Sequence, residues 1–109
     1  MAAARSALGV PYHWGGSDPQ QGFDCSGLTM WSWAHAGVSL PHSAAMQYAD
    51  TRRVSTSDLQ PGDLLFFYSP ISHVAMYIGG GMEIAASHTG TVVSIYSVDW
   101  GNYVGAGRP

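Results

Sequence analysis

The sequence has 109 residues, which suffices for one hydrophobic core and is too short for two, so we expect a single domain spanning 1–109. Apolar residues make up 46% of the chain and charged residues 10%, a composition that excludes an intrinsically disordered segment. The formal net charge is −3 with no lysine and no basic run, which argues against a nucleic-acid partner, and no apolar run is long enough for a membrane span.

The first half of the chain carries helix signals. A short helix is predicted for "AAARSALG", which precedes a Gly-rich loop. The stretch Asp24–Gly37 predicts a second helix, because Asp24 and Ser26 are good capping residues and Gly37 is a stop signal. A third helix is predicted for Ser43–Asp50, with Ser43 as its N-cap.

The second half carries strand signals. A Pro-Gly turn in "LQPGD" at 59–63 is followed by the apolar run "LLFFY". Runs rich in Val, Ile and Tyr predict strands at His73–Gly79, Met82–Ser87 and Thr91–Val98, with "GGG" at 79–81 as a hairpin turn. Their close succession predicts an antiparallel meander. Helices first and strands afterwards predict an α+β fold, with the N-terminal helices packed on a C-terminal antiparallel β-sheet.

The only cysteine, Cys25, lies in "FDCSG" at the start of the second predicted helix. Free backbone N–H groups and the helix dipole favour a thiolate there, so we expect a lowered thiol pKa, and the same amides could hold an oxyanion. The alternative is a buried cysteine that packs as a small apolar residue.

A cysteine nucleophile needs a base, and the chain has five histidines. His73 begins a predicted strand, so a sheet could present its ring to the helix that carries Cys25. The other four, His13, His35, His42 and His88, are interpreted as surface residues or as satisfied core residues. No ligand spacing of the zinc type occurs, so we expect no metal and no cofactor.

Five motifs occur in the order and at the approximate spacing found in NlpC/P60 cysteine peptidases. They are "PYHWGG" at 11–16, "FDCSGL" at 23–28, "LPHSAAMQY" at 40–48, "QPGDLLFF" at 60–67 and "SHVAMYIGGG" at 72–81. The sequence therefore resembles this family over nearly its whole length. The resemblance favours a nucleophilic role for Cys25 over a packing role.

The resemblance implies a papain-like α+β fold and hydrolysis of amide bonds in peptidoglycan stem peptides, often between D-glutamate and diaminopimelate or lysine. Cys25 matches the nucleophile and His73 the general base. Tyr12 matches a tyrosine that helps to stabilise the oxyanion or to orient substrate, with a loop anchor as the alternative. Asp24 and Ser26 match positions that bind the amino end of the substrate, with simple helix caps as the alternative.

The resemblance also bears on location and assembly. We expect a secreted or cell-wall associated protein, of bacterial or phage origin, whose export signal lies outside this sequence. We expect a monomer.

One position departs from the family pattern. About 12 residues after the histidine, the family has a polar residue that orients the imidazole, and this sequence has Ala85. Glu83, two residues earlier, would share its strand face, and a bulge could bring its carboxylate to His73. His88 or a backbone carbonyl could act instead.

Two other functions remain open. Because of Ala85, the chain could be a catalytically weakened or inactive module that binds the cell wall. It could also be a related acyltransferase or a peptidase with another substrate.

Overall fold

Three short α-helices lie in the first half of the chain in the computed structural model, which describes all 109 residues. They are α1 (Ala2–Ser6), α2 (Cys25–Ala34) and α3 (Ala44–Asp50). The predicted caps at Asp24 and Ser43 are confirmed, since the Asp24 carboxylate accepts the Gly27 N–H at 2.6 Å and the Ser43 hydroxyl accepts the Met46 N–H at 3.3 Å. Ser26 lies inside α2 and is not its cap. The longest helix has 10 residues, and none is long and apolar enough to cross a membrane.

The strands form a two-stranded pair and a six-stranded sheet, both antiparallel. In chain order they are β1 (Ser17–Asp18), β2 (Gly22–Phe23), β3 (Arg52–Val54), β4 (Leu64–Phe67), β5 (His73–Gly79), β6 (Met82–Ala85), β7 (Ser94–Ser97) and β8 (Tyr103–Arg108). Strands β1 and β2 pair with each other, and the larger sheet has the order β3-β8-β4-β5-β6-β7. A single 3-10 turn covers Thr56–Asp58.

The predicted meander is confirmed, with differences at its ends. Strand β5 has the predicted bounds, and the glycine turn after it joins β5 to β6. The strand predicted at Met82–Ser87 ends at Ala85, and the one predicted at Thr91–Val98 is limited to Ser94–Ser97. Strands β3 and β8 were not predicted. They pair with each other, and β8 also pairs with β4, so the sheet is wider than the sequence indicated.

The two faces of the six-stranded sheet pack differently, because side chains alternate along each strand. One face forms the larger core with the helices, and it contains Leu64, Phe66, Val74, Met76 and Ile84 beside Leu28 of α2. The opposite face carries a smaller apolar cluster of Leu65, Phe67, Ala75, Ala85, Val98 and Ala106. The molecule is therefore an α+β protein with helices packed on one face of an antiparallel sheet.

The start of α2 is fixed by a close backbone approach. A Cβ added at Gly27 would lie 1.9 Å from the carbonyl oxygen of Gly16, so no larger residue fits without moving the loop before the helix. The Asp24 N–H also donates to the Gly16 carbonyl at 3.1 Å. These contacts set the position of Cys25, the first residue of α2.

Candidate active site

The largest cleft lies where α2 and β5 both begin, and its volume is about 380 Å³. Among its twelve lining residues are three that the sequence singled out for catalysis, Tyr12, Cys25 and His73. Glu83 lines it as well. The fold therefore brings together residues separated by up to 71 positions in the chain.

Cys25 is half-buried at the first position of α2. Burial raises the pKa of its thiol, and this effect exceeds the lowering by hydrogen bonds from the backbone of Val74 and Ser26. The negative charge of Asp24 raises the pKa further. The expected lowering of the thiol pKa is therefore wrong for the resting protein, because desolvation outweighs the helix terminus.

His73 begins β5 and packs its ring against Phe67, with 5.4 Å between ring centroids. Burial lowers the pKa of the imidazole, so His73 is neutral at pH 7. Hydrogen bonds to ring nitrogens occur at His35, His42 and His88, and none occurs at His73. No hydrogen bond within the protein therefore selects which ring nitrogen of His73 carries the proton.

Ala85 occupies the position where an orienting group is expected. The register that pairs Met76 with Ile84 puts Ala85 opposite Ala75, beside His73 on the same sheet face. Ala85 is buried in the apolar cluster that includes Phe67. The wall next to the imidazole is therefore apolar at this point.

The candidate replacements for that group do not contact His73. Glu83 pairs with Tyr77, four positions along β5, and its carboxylate makes no hydrogen bond with the imidazole. A register irregularity does occur, but it lies between Tyr77 and Gly79, at the far end of β5 from His73. The Nδ1 of His88 bonds with the carbonyl of Thr89 instead. No direct hydrogen bond therefore joins Glu83, His88 or a backbone carbonyl to the His73 ring, and the group that orients His73 stays a prediction.

Tyr12 reaches the cleft from the loop before β1. Its backbone N–H donates to the Thr91 carbonyl at 2.9 Å, which anchors the loop, while its hydroxyl makes no hydrogen bond with the protein. Burial raises the pKa of Tyr12, and the nearby Cys25 and Asp24 raise it further. The phenol therefore keeps its proton and is free to donate it in a hydrogen bond.

Asp24 and Ser26 flank the cysteine but do not line the cleft. The Asp24 carboxylate accepts the N–H groups of Gly15 and Gly27 and a hydrogen bond from His42, while the buried Ser26 hydroxyl lies 3.4 Å from Asp24. Both side chains thus have structural partners at the helix start. Their contact with substrate stays a prediction.

The sequence reasoning missed several residues around the site. Gln47 is fully buried, and its amide nitrogen donates to the carbonyls of Ser26 and Pro41, while its amide oxygen accepts from Thr29. Its presence within "LPHSAAMQY" was the available signal. Ser87, Tyr96 and Asp99 also line the cleft, and no local pattern indicated them. No group of three or more His, Cys, Asp or Glu side chains is arranged to hold a metal ion.

Comparison with known proteins identifies the family. The model of the NlpC/P60 family matches residues 9–106. The chain belongs to the NlpC/P60 family. Among relatives of this NlpC/P60 chain, the probable endopeptidase p60 of Listeria monocytogenes is 47% identical over 112 residues, covering 99% of this chain and 23% of the relative. A probable endopeptidase of Mycobacterium tuberculosis is 47% identical over 99 residues, covering 91% of this chain and 26% of the relative. The chain thus spans about a quarter of the length of these curated relatives.

Solved structures agree with this assignment. The NlpC/P60 domain of the peptidoglycan hydrolase SagA superposes with a TM-score of 0.89 at 38% identity, covering 99% of this chain and 94% of that one. An NlpC/P60 family protein from Bacillus cereus superposes with a TM-score of 0.90 at 34% identity, covering 96% of this chain and 37% of that one.

Proposed function

We propose that this chain is a single catalytic domain, 1–109, that acts as a cysteine endopeptidase on peptidoglycan stem peptides. One observation carries the proposal: Cys25, at the start of α2, and His73, at the start of β5, line the same cleft. The family membership supports it, as do the endopeptidase and peptidoglycan hydrolase names of the relatives. The bond that we propose is the amide between D-glutamate and diaminopimelate or lysine.

In the first step, the Cys25 sulfur attacks the amide carbonyl carbon of the substrate. Because the thiol and the imidazole are both neutral at rest, the thiol proton passes to His73 as the carbon–sulfur bond forms. The carbonyl oxygen becomes an oxyanion. The Tyr12 hydroxyl is the donor that we propose for its stabilisation.

In the second step, the tetrahedral intermediate collapses. The carbon–nitrogen bond breaks, and the imidazolium of His73 gives its proton to the leaving amine, which leaves an acyl thioester on Cys25. A water molecule then gives a proton to His73 and attacks the thioester carbon. Collapse of this second intermediate releases the carboxylic acid, and the sulfur takes the proton back.

A second candidate function is a cell-wall binding module with weak or no turnover. The observation that favours it is the His73 ring, which has no hydrogen bond and shares its sheet face with Ala85, where the family pattern has a polar group. Secretion or cell-wall association, in a bacterium or a phage, is part of the proposal in either case. The protein acts as a monomer in both.

The two functions are separated by incubating purified stem peptides of the lysine and diaminopimelate types with the wild-type protein, Cys25→Ala and His73→Ala. Mass spectrometry measures the products, and calorimetry measures binding to Cys25→Ala. We expect cleavage by the wild type alone, with binding retained by Cys25→Ala. Binding without cleavage by any of the three proteins contradicts the peptidase and supports the binding module.

A further inference from the structure

Glu83 is a buried acid without a partner. It is 6% exposed, lies on β6 between β5 and β7, and lines the cleft, while its Oε1 makes no hydrogen bond. The other deeply buried acid, Asp63, is 2% exposed and accepts two hydrogen bonds from Arg108, at 2.8 and 2.9 Å. Buried polar atoms in native proteins are nearly always paired, and this unpaired carboxylate oxygen, in a residue that lines the cleft, is available to a polar group of a bound ligand.

The side chains around Glu83 include tyrosines, histidines and a second acid, but no arginine or lysine. Tyr77 of β5 and Tyr96 of β7 lie directly opposite Glu83, and Asp99 follows β7. His73 and His88 line the same cleft, and no arginine or lysine does. Burial raises the pKa of Glu83 to about 7, and the charge of Asp99 contributes to this rise. The surroundings therefore disfavour an anion and favour a cation.

The most suitable cation is a primary ammonium group. It carries three N–H donors and can serve two carboxylates at once, and charge-assisted hydrogen bonds of this kind are stronger than neutral ones. Glu83 lies opposite Tyr77 on the strand that begins at His73, and it lines the same cleft as Cys25 and His73. The side chain of a diamino acid bound next to the reacting bond would therefore share this cleft with the Glu83 carboxylate.

We propose that Glu83, assisted by Asp99, forms a subsite for the side-chain ammonium of the diamino acid in the stem peptide. This proposal rests on the proposed peptidase or binding function and names the feature of the substrate that the cleft selects. In this proposal Glu83 contributes to substrate specificity and does not orient His73.

The test compares two peptides, a lysine-type stem tetrapeptide and the same peptide with its lysine side chain acetylated. Binding is measured by calorimetry with Cys25→Ala, which prevents turnover, and with the double variant Cys25→Ala/Glu83→Gln. A matched control, Cys25→Ala/Asp50→Asn, removes the same charge from an exposed position on α3. We expect acetylation to weaken binding about tenfold in Cys25→Ala and in the Asp50 control, and to have little effect in the Glu83 variant.

A second readout follows the proton on Glu83. With a pKa of about 7, the carboxyl is partly protonated at pH 7, and an ammonium ligand displaces the proton. Calorimetry in buffers of different ionisation enthalpy should detect proton release on binding of the unmodified peptide, and none in the Glu83→Gln variant.

Three outcomes overturn the proposal: equal binding of the two peptides by Cys25→Ala, an unchanged acetylation effect in the Glu83→Gln variant, or no binding of either peptide. Cleavage by the wild-type protein is recorded separately. Equal cleavage of both peptides supports the peptidase and contradicts the subsite. Selective binding without cleavage supports the subsite and contradicts the peptidase.

Discussion

The carboxylate of Asp24 and the imidazole of His42 are joined by a hydrogen bond of 2.8 Å between Oδ1 and Nε2. Because a carboxylate only accepts, Nε2 of His42 is the donor. The same Asp24 oxygen caps α2 through the Gly27 N–H, and the other oxygen accepts from the Gly15 N–H. Asp24 thus ties three segments together beside Cys25.

The first prediction follows from this arrangement. Asp24→Ala should lower the free energy of unfolding by about 1–2 kcal/mol, because the helix loses its N-cap, whereas Asp24→Asn keeps an acceptor and should lose less. Urea denaturation followed by circular dichroism measures both changes. A loss below about 0.5 kcal/mol for the alanine variant would contradict the capping role.

A second prediction concerns Gln47 of α3, whose side-chain amide forms hydrogen bonds with Ser26 and Thr29 of α2. Gln47→Leu should lower the free energy of unfolding by about 1–3 kcal/mol, because the Thr29 hydroxyl and the Ser26 carbonyl lose buried partners. The control is Gln60→Leu, since the Gln60 side chain is exposed and makes no hydrogen bond. Equal effects of the two substitutions in urea denaturation would show that the buried network contributes nothing.

Features set by local sequence were predictable. The caps at Asp24 and Ser43 depend on residues within three positions, and the glycine turn after β5 depends on its own backbone. Strands β3 and β8 depend instead on pairing with distant segments, and the glycines of "VGAGR" in β8 give no strand signal. They could be found only from tertiary structure.

The residues of the candidate site also divide into those that the sequence indicates and those that only the tertiary structure brings together. Cys25 and His73 were found through ordered motifs, and no local property indicated that they share a cleft. Asp99 and Tyr96 enter the cleft through the sheet pairing of β6 and β7. The direction of the thiol pKa was mispredicted because the helix terminus is visible in the sequence, whereas the burial that outweighs it is a property of the fold.

A third prediction tests Tyr12 as the oxyanion donor. Tyr12→Phe should lower kcat about 100-fold with little change in KM, because the hydroxyl acts mainly in the transition state. The melting temperature should stay constant, since the hydroxyl has no protein partner. Tyr68→Phe is the matched control, another tyrosine that lines the cleft, and should leave kcat nearly unchanged. An unchanged kcat for Tyr12→Phe would contradict the oxyanion role and leave Tyr12 as a loop anchor, which its backbone N–H already provides.

A fourth prediction concerns pH and stability. The pKa of Glu83 is raised from 4.5 to about 7 by burial, with a contribution from Asp99, so the folded protein holds this proton more tightly than the unfolded chain. The tightly held proton on Glu83 contributes fully to the free energy of unfolding below pH 4.5, and this contribution is lost as the pH rises through 7. Between pH 4.5 and 8, the wild type should lose roughly 2 kcal/mol more stability than Glu83→Gln.

Urea denaturation at several pH values measures this difference. Asp99→Asn serves as the control and should show a smaller pH-dependent loss than the wild type, because one of the two causes of the raised pKa is gone. Parallel curves for the wild type and Glu83→Gln would rule out a buried, titrating carboxyl.

The last prediction concerns the missing neighbour of His73. Ala85→Asn adds an amide on the same sheet face, next to the imidazole, where it can bond with a ring nitrogen and fix the tautomer. If the orientation of His73 limits the reaction, kcat should rise about tenfold or more. Peptide hydrolysis is measured at several pH values, together with the melting temperature.

The control must separate the new hydrogen bond from the added bulk, because Ala85 is buried and overpacking costs about 1–3 kcal/mol. Ala85→Leu adds a side chain of similar size without polar atoms and should destabilise the protein without raising kcat. A rise in kcat with leucine would attribute the gain to bulk and not to the new hydrogen bond. If the wild type cleaves the peptide and folded Ala85→Asn shows no rise in kcat, His73 is already held well enough by its packing against Phe67. In that case Ala85 is a tolerated variation in an active peptidase, and the binding-module alternative loses its main support.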